Sequence, residues 1–433
     1  MKIGIIGAGV TGLAAAWDLV RAGHEVHIYE AENQVGGLAS GFRDDNWDWT
    51  LEKFYHHWFQ SDSHILTLTE ELGVRDKVLF PRPKTSYWVD GKILRSEISP
   101  SAIFLPLPPI AKLRFAFAGA LMKFFPAWKP LERVTAHDWF MTFMGETAYG
   151  KFFRPLLIGK FGDEYQKVNM AWMWARVKTR TLRLGIFEGG FQAFLDTLAR
   201  ALTERGVSIH FNTRVEQITL EQMQPTLTIA GEQYGFDRVL STTSPSLMHK
   251  LAPALRETNY GDTLTRLRSI GAICVVVATK QQLLTDGTYW LNLPAASADK
   301  RENRFPFLAL VEHTNWMDRT HYNGDHLLYL GDYVSPGHEY FRLSDDELTA
   351  RFLDALPIVN PAFSRDWVRK SWVFRAPYAQ PIPYVNHSED IPSLQTPMPG
   401  VFYASMSQVY PWDRGTNFSV EMGRRVARMM MGT

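Results

Sequence analysis

The sequence predicts an α/β protein: a doubly wound, three-layer domain assembled from separated segments, with an α+β domain interleaved between them. Three observations carry this. The chain opens on a strand, a glycine-rich turn and a helix over residues 3–21. A second glycine turn starts a helix at 189–202. A strand, a loop and a last helix close the chain over 400–431.

Ile3-Gly4-Ile5-Ile6 is apolar, too short for a helix and bounded by glycine, which reads as a buried parallel strand. Gly7-Ala8-Gly9-Val10-Thr11-Gly12 follows in the spacing G-x-G-x-x-G. Gly7 permits the tight turn, Gly9 lets a pyrophosphate approach the backbone, and Gly12 lets the helix pack on the strand. The helix N-terminus at Val10 and Thr11 offers unpaired N–H groups and a partial positive charge to phosphates. Gly23 ends the helix, Val26–Tyr29 is the next strand, and Glu30 sits at its end. A carboxylate there accepts from ribose hydroxyls and repels a 2′-phosphate, which disfavours NADP. The unit is a Rossmann-type dinucleotide fold, and by itself it does not separate NAD from FAD. Gly36-Gly37 adds a second loop able to approach the same diphosphate.

Composition bounds the rest. The chain has 433 residues, a net charge of +1 and 45% hydrophobic residues. This suits about two globular domains and gives no case for nucleic-acid binding. Its single cysteine, Cys274, lies in the apolar run Ile273–Val277. An intrachain disulfide and a cysteine-built metal site are therefore excluded, and no metal is expected. The chain enters a strand directly, so no signal peptide is expected. No apolar run is long enough to span a membrane, and a cytoplasmic location is expected.

The run Glu30-Ala31, a short spacer, then Gly36-Gly37-Leu38-Ala39-Ser40 resembles the extended FAD signature of the flavin amine oxidase superfamily. That group includes protoporphyrinogen oxidases, phytoene desaturases and, more distantly, UDP-galactopyranose mutases. Many members have arginine where this chain has Leu38. Gly185 to Ile218 resembles the second FAD segment, which places the Val215 backbone at adenine. Phe236–Thr243 resembles the strand returning to the FAD domain, with Thr242 and Thr243 near the cofactor. Gly415-Thr416-Asn417-Phe418 resembles the closing motif, whose helix points its N-terminus at the flavin pyrimidine ring. Dipole and N–H groups there stabilise reduced flavin. The family's acid near Ala404 and Ser405 is missing; Ser405 remains at the ribityl position, and Asp413 is a candidate substitute.

The resemblance implies an FAD domain built from residues 1–75, 185–245 and 396–433, with 76–184 and 246–395 forming the substrate domain. It implies an FAD-dependent oxidoreductase that transfers a hydride from a largely apolar substrate to flavin N5. No second G-x-G-x-x-G occurs in a strand–turn–helix setting. Reoxidation would then fall to oxygen, a quinone or another diffusible acceptor. By carry-over, Tyr55, His56 and His57 line the ring or the substrate. Adjacent histidines on an extended segment point opposite ways, so one at most faces the pocket. Structural roles, or covalent flavin attachment, stay open for both. The amine-oxidase lysine near Cys274 is absent from Gly271–Ile273, which argues against simple amine oxidation.

Strands are expected at Ile273–Thr279, Phe307–Val311 and His326–Tyr333, and a hairpin turns at Asp90-Gly91. Glu312–Asn315 is either a pocket-facing polar group or an ordinary turn. Phe152–Gly162 reads as a helix end and a turn. The segment 103–125 carries sparse Lys and Arg among apolar residues. It suits a helix covering the substrate domain or peripheral contact with a membrane. A sugar-nucleotide mutase is the alternative function. It would need arginines converging on a diphosphate, for which Arg154, Arg176, Arg180, Arg183 and Arg375 are candidates.

Overall fold

The structure, a computed structural model, describes residues 1–95 and 106–432. Ile103–Leu105, the start of the expected apolar segment, lies outside the described residues. Five parallel strands form the first sheet, in the order 208–210, 25–29, 2–6, 238–241 and 401–403. Three stretches of chain thus meet in one sheet. Its two faces follow from strand alternation. Ile3, Ile5, Ile28, Leu240 and Phe402 face the helices Val10–Arg21, Phe191–Glu204 and Thr416–Met431. Ile6, Tyr29, Val239 and Tyr403 face a three-stranded antiparallel sheet over 215–235. The layers are helices, parallel sheet and small antiparallel sheet.

A seven-stranded mixed sheet forms the second region, in the order 368–381, 269–279, 326–334, 309–312, 290–292, 85–89 and 92–95. Apart from the parallel pairing of 290–292 with 85–89, its neighbours are antiparallel. Helices at 109–124, 136–143, 146–152, 154–161 and 170–179 pack into a second core beside it. The expected strands occur at Ser269–Thr279, Ala309–Glu312 and His326–Val334, and the hairpin turns at Asp90-Gly91.

Two elements differ from expectation. Residues 154–161 are helical, because Pro155 falls in the first turn, where its missing N–H costs nothing. The strand Val368–Pro381, unforeseen in the sequence, tolerates proline by lying at the sheet edge and shifting register between Ala376 and Gln380.

Gly423 lets the closing helix lie against the first. A Cβ there would stand 2.4 Å from the Thr11 carbonyl oxygen and 3.0 Å from the Ala14 Cβ. Backbone cannot swing aside as a side chain can. Gly423→Ala is therefore expected to destabilise the protein by about 1–3 kcal/mol, as overpacking does, read as a lowered denaturant midpoint. An unchanged midpoint would show that the two helices can part.

Candidate functional site: a glycine cradle and a cationic cleft

The turn after the first strand is built for close approach. Gly7 has φ +102°, and its N–H donates to the Tyr29 carbonyl. A Cβ on Gly12 would stand 2.2 Å from the Gly7 oxygen, so that glycine packs helix onto turn. A Cβ on Gly9 would meet no protein atom within 4 Å, so this glycine faces open space. Gly36, at φ +120°, pairs with Gly9 through an isolated parallel bridge, and a Cβ on Gly37 would be 3.5 Å from the Gly9 Cα. Two glycine turns thus line one space at the N-terminus of the helix Val10–Arg21. Val10 itself is buried beneath it, and Thr11 is half-buried.

The Glu30 carboxylate accepts from the amides of Ala8 (2.7 Å) and Glu32 (3.0 Å), which fixes it at the rim of this space. Ala31 is exposed beside it. Thr242 donates to the Ile6 carbonyl and packs against Gly7, bracing the turn. Val215 is buried at the start of the small antiparallel sheet.

At the other end, the closing helix begins at Thr416. Its side chains are already engaged. Thr416 Oγ1 accepts from Trp58 Nε1, and Asn417 Oδ1 accepts from the amides of His64 and Ile65. What Gly415, Thr416 and Asn417 can offer a ligand is backbone N–H. Ser405 is buried, and its hydroxyl takes the Tyr403 phenol.

Between these ends lies a cavity lined by Leu38, Phe54, Tyr55, His56, Ile273, Cys274 and Arg414, among others. Leu38 packs on Ala272, Ala376 and Ala379, an apolar wall that suits leucine here. The Tyr55 ring lies on Gly331, where a Cβ would be 2.4 Å from the ring. The two histidines separate as alternation requires. His56 lines the cavity, bonds the Phe54 carbonyl, and is lowered to about 4 by burial and by Arg414. His57 points away, bonded to the Tyr289 hydroxyl among Trp290 and Trp316, and burial and the neighbouring His56 lower it to about 3. Both are neutral at pH 7. Glu312 and His313 turn inward as structural groups. Glu312 accepts from the Leu283 and Leu284 amides, and His313 bonds the Tyr322 hydroxyl.

Beyond Arg414 the cavity meets a cluster of cations from two other segments. Lys160 ends the helix 154–161, while Arg176 and Arg180 lie one turn apart on the helix that ends at Thr179 and its cap. Arg176 pairs with Asp413, which also accepts from Trp172 Nε1 at 3.0 Å. Burial would raise the Asp413 carboxyl, but Arg176, Lys160 and Arg414 hold it well below the usual range. Asp413 therefore belongs to the cation cluster. Of the other arginines named from the sequence, Arg154 pairs with Glu146 and Arg375 with Asp345, and Arg183 donates to the Phe80 carbonyl. Only Arg176 and Arg180 converge. Lys160, Tyr333 and Arg414 carried no sequence signal beyond Arg414 preceding Gly415.

A dinucleotide cradle, a cavity with a largely apolar wall and a helix N-terminus are what an FAD-dependent oxidoreductase requires. The glycines fit the cofactor: Gly9 opens onto empty space, while Gly7 and Gly12 cannot carry side chains. The model of the flavin containing amine oxidoreductases matches residues 10–431, and the chain belongs to that family. It is 22% identical to a probable zeta-carotene desaturase of Synechococcus elongatus, over 100% of this chain and 98% of that protein. It is 23% identical to the coproporphyrinogen III oxidase of Staphylococcus aureus, over 56% of this chain and 60% of that one. A reduced UDP-galactopyranose mutase shares the fold at TM-score 0.77 and 18% identity, covering 100% of this chain and 95% of that structure.

The glycines separate two kinds of failure. Gly9→Ala is expected to leave the melting temperature of the FAD-free protein unchanged and to weaken FAD binding at least tenfold, read by fluorescence quenching. Gly12→Ala is expected to lower the melting temperature itself. Equal effects of the two on apo stability would contradict their assigned roles.

Proposed function

We propose that this oxidoreductase removes a hydride from a C–H bond of a largely apolar small molecule of porphyrinogen, polyene or isoprenoid type. Bound FAD supplies hydride-accepting chemistry at N5. Gly7, Gly9, Gly12, Gly36 and Gly37 would hold its diphosphate, Glu30 its ribose, and the N–H groups from Gly415 to Asn417 its pyrimidine edge. The observation that carries the substrate reading is the cavity wall. Leu38, Phe54, Ile273, Cys274 and Ala379 are apolar, and the titratable groups among them are neutral or engaged. Burial lifts the Tyr55 phenol well above its ordinary range, and His56 is neutral at pH 7. Asp332 is held by Lys300 at 2.8 Å. Such a wall orients an apolar substrate and excludes water, which is what hydride transfer asks of a protein. The strand Ser269–Thr279 carries no lysine, which disfavours amine oxidation.

Anaerobic titration of the FAD-loaded protein tests this. Polyene or porphyrinogen substrates are expected to bleach the oxidised flavin bands, and primary amines to leave them. Bleaching by amines alone overturns the reading. So does a sugar nucleotide isomerised only after prior reduction of the flavin, the behaviour of a mutase. Release of FAD by acid precipitation marks noncovalent binding. The rate of reoxidation in air separates an oxygen user from an enzyme that passes electrons to a quinone or another acceptor.

An apolar substrate must be taken from somewhere, and one helix supports a lipid source. No helix among the described residues is long and apolar enough to cross a membrane. The helix Pro109–Phe124 nevertheless exposes Ile110 (77%), Leu113 (72%), Phe117 (57%) and Phe124 (79%), spaced to share one side. Ala111, Ala118 and Met122 bury its other side, and Arg114 at the edge of the exposed stripe donates to the carbonyls of Met141, Thr142 and Phe143. This face would rest in a lipid interface. Co-sedimentation with phosphatidylcholine–phosphatidylglycerol vesicles is expected for the native protein and lost in Leu113→Glu/Phe117→Glu. Equal sedimentation of the two would rule the helix out as the contact.

A further inference from the structure

The cation cluster above the cavity is not needed for an uncharged hydrocarbon. Its neighbours show why it stands apart. Arg154, Arg351, Arg365, Arg369 and Arg375 each have a carboxylate partner. Arg180 has none among the described residues, and it stands one helical turn from the like charge of Arg176. Lys160 has no carboxylate partner there either. Its ammonium lies over the rings of Tyr333 (4.9 Å) and Trp172 (5.2 Å). Arg414 donates to the Tyr333 hydroxyl and to Gln380 Oε1, both neutral. Four cations thus share one carboxylate, Asp413, already taken by Arg176. The nearby Asp332 is taken by Lys300.

Like charges gathered at the rim of one cavity raise the free energy of the empty site. An anion with several oxygens relieves this, and guanidinium groups match carboxylate or phosphate oxygens in paired hydrogen bonds. The cluster also adjoins the reaction cavity, because Arg414 and Tyr333 line both.

We propose that the substrate is an amphiphile whose apolar body fills the cavity and whose anionic group, a carboxylate or a phosphate, is bound by Lys160, Arg180 and Arg414. This rests on the oxidoreductase reading of the same cavity and narrows its substrate class. Trp172 and Asp413 act as positioning residues. Asp413 holds Arg176 and the loop that carries Arg414, while Trp172 and Tyr333 form the faces on which the ammonium waits. Binding here fixes the substrate's direction, with the apolar end inward.

Titration of the FAD-loaded protein, followed by the flavin difference spectrum, tests the proposal with chain-matched probes. The pairs are dodecanoate against dodecanol and geranyl diphosphate against geraniol, with inorganic pyrophosphate alone as a fifth ligand. At least one anionic amphiphile is expected to bind about tenfold or more tightly than its neutral partner, as charged hydrogen bonds allow. Which of the two pairs shows the difference distinguishes carboxylate from phosphate. The advantage is expected to vanish in Arg180→Gln and Lys160→Met and to return in part in Arg180→Lys. Arg180 is exposed at a helix end, so its replacement leaves the core intact. Equal binding of charged and neutral partners overturns the anion site while leaving the apolar cavity standing. Pyrophosphate binding as tightly as geranyl diphosphate does the reverse. The proposal is also overturned if neither anionic amphiphile binds saturably, or if Arg180→Gln and Lys160→Met bind them unchanged.

Discussion

The structure depends on how closely three backbones meet at the start of the first helix. Gly12 stands against the Gly7 carbonyl, Gly36 pairs with Gly9, and Gly423 presses the closing helix onto Thr11. None of these contacts is a strong interaction. At Gly12 and Gly423 a single methyl group would meet backbone, and at Gly36 it would meet Leu195 and Ser40. The consequence is geometric: the N-terminal, 36–37 and C-terminal segments reach one space from separate parts of the chain. A cofactor as long as a dinucleotide can be gripped only where such segments converge.

The same constraint explains why this half of the protein was legible. A close backbone approach leaves a glycine, and a glycine at a fixed offset from a strand and a helix can be read locally. Gly7, Gly12 and Gly36 are of that kind, while Gly9, at the same fixed spacing, opens onto free space. The roles of Thr416 and Asn417 were harder to read, because the helix start was visible but its neighbours were not. Trp58 and the helix from Ser63 claim both side chains, and both partners lie more than 350 residues away in sequence. The histidine pair falls between these cases. Alternation says that one of them must turn away, but the choice between His56 and His57 was made by Trp290 of the seven-stranded sheet and by Tyr289 and Trp316 beside it.

The cationic cleft was legible only in part. Arg176 and Arg180, one turn apart on a single helix, stood among the candidate arginines, but Lys160 on another helix and Arg414 in a loop share no motif with them. Five arginines were reasonable diphosphate candidates in the sequence, yet three of them spend their charge on Glu146, Asp345 and a backbone carbonyl. A basic residue is informative by what it lacks, and only tertiary structure reveals a missing partner.

Asp413 ties the two halves together. The family pattern placed an acid near the ribityl chain, and this chain has none at Ala404 or Ser405. Asp413 stands later in the same loop, yet it faces Arg176, Trp172 and Gln380 of the substrate region. One residue further, Arg414 enters the cleft, and one further still, Gly415 opens the closing helix. The loop is thus held by its ion pair with Arg176 where it runs into that helix. Asp413, Arg414 and Gly415 thus run in three consecutive residues from the ion pair with Arg176 to the start of the closing helix. Under the amphiphile proposal, an apolar cavity with a cationic rim would give the substrate a direction as well as a place.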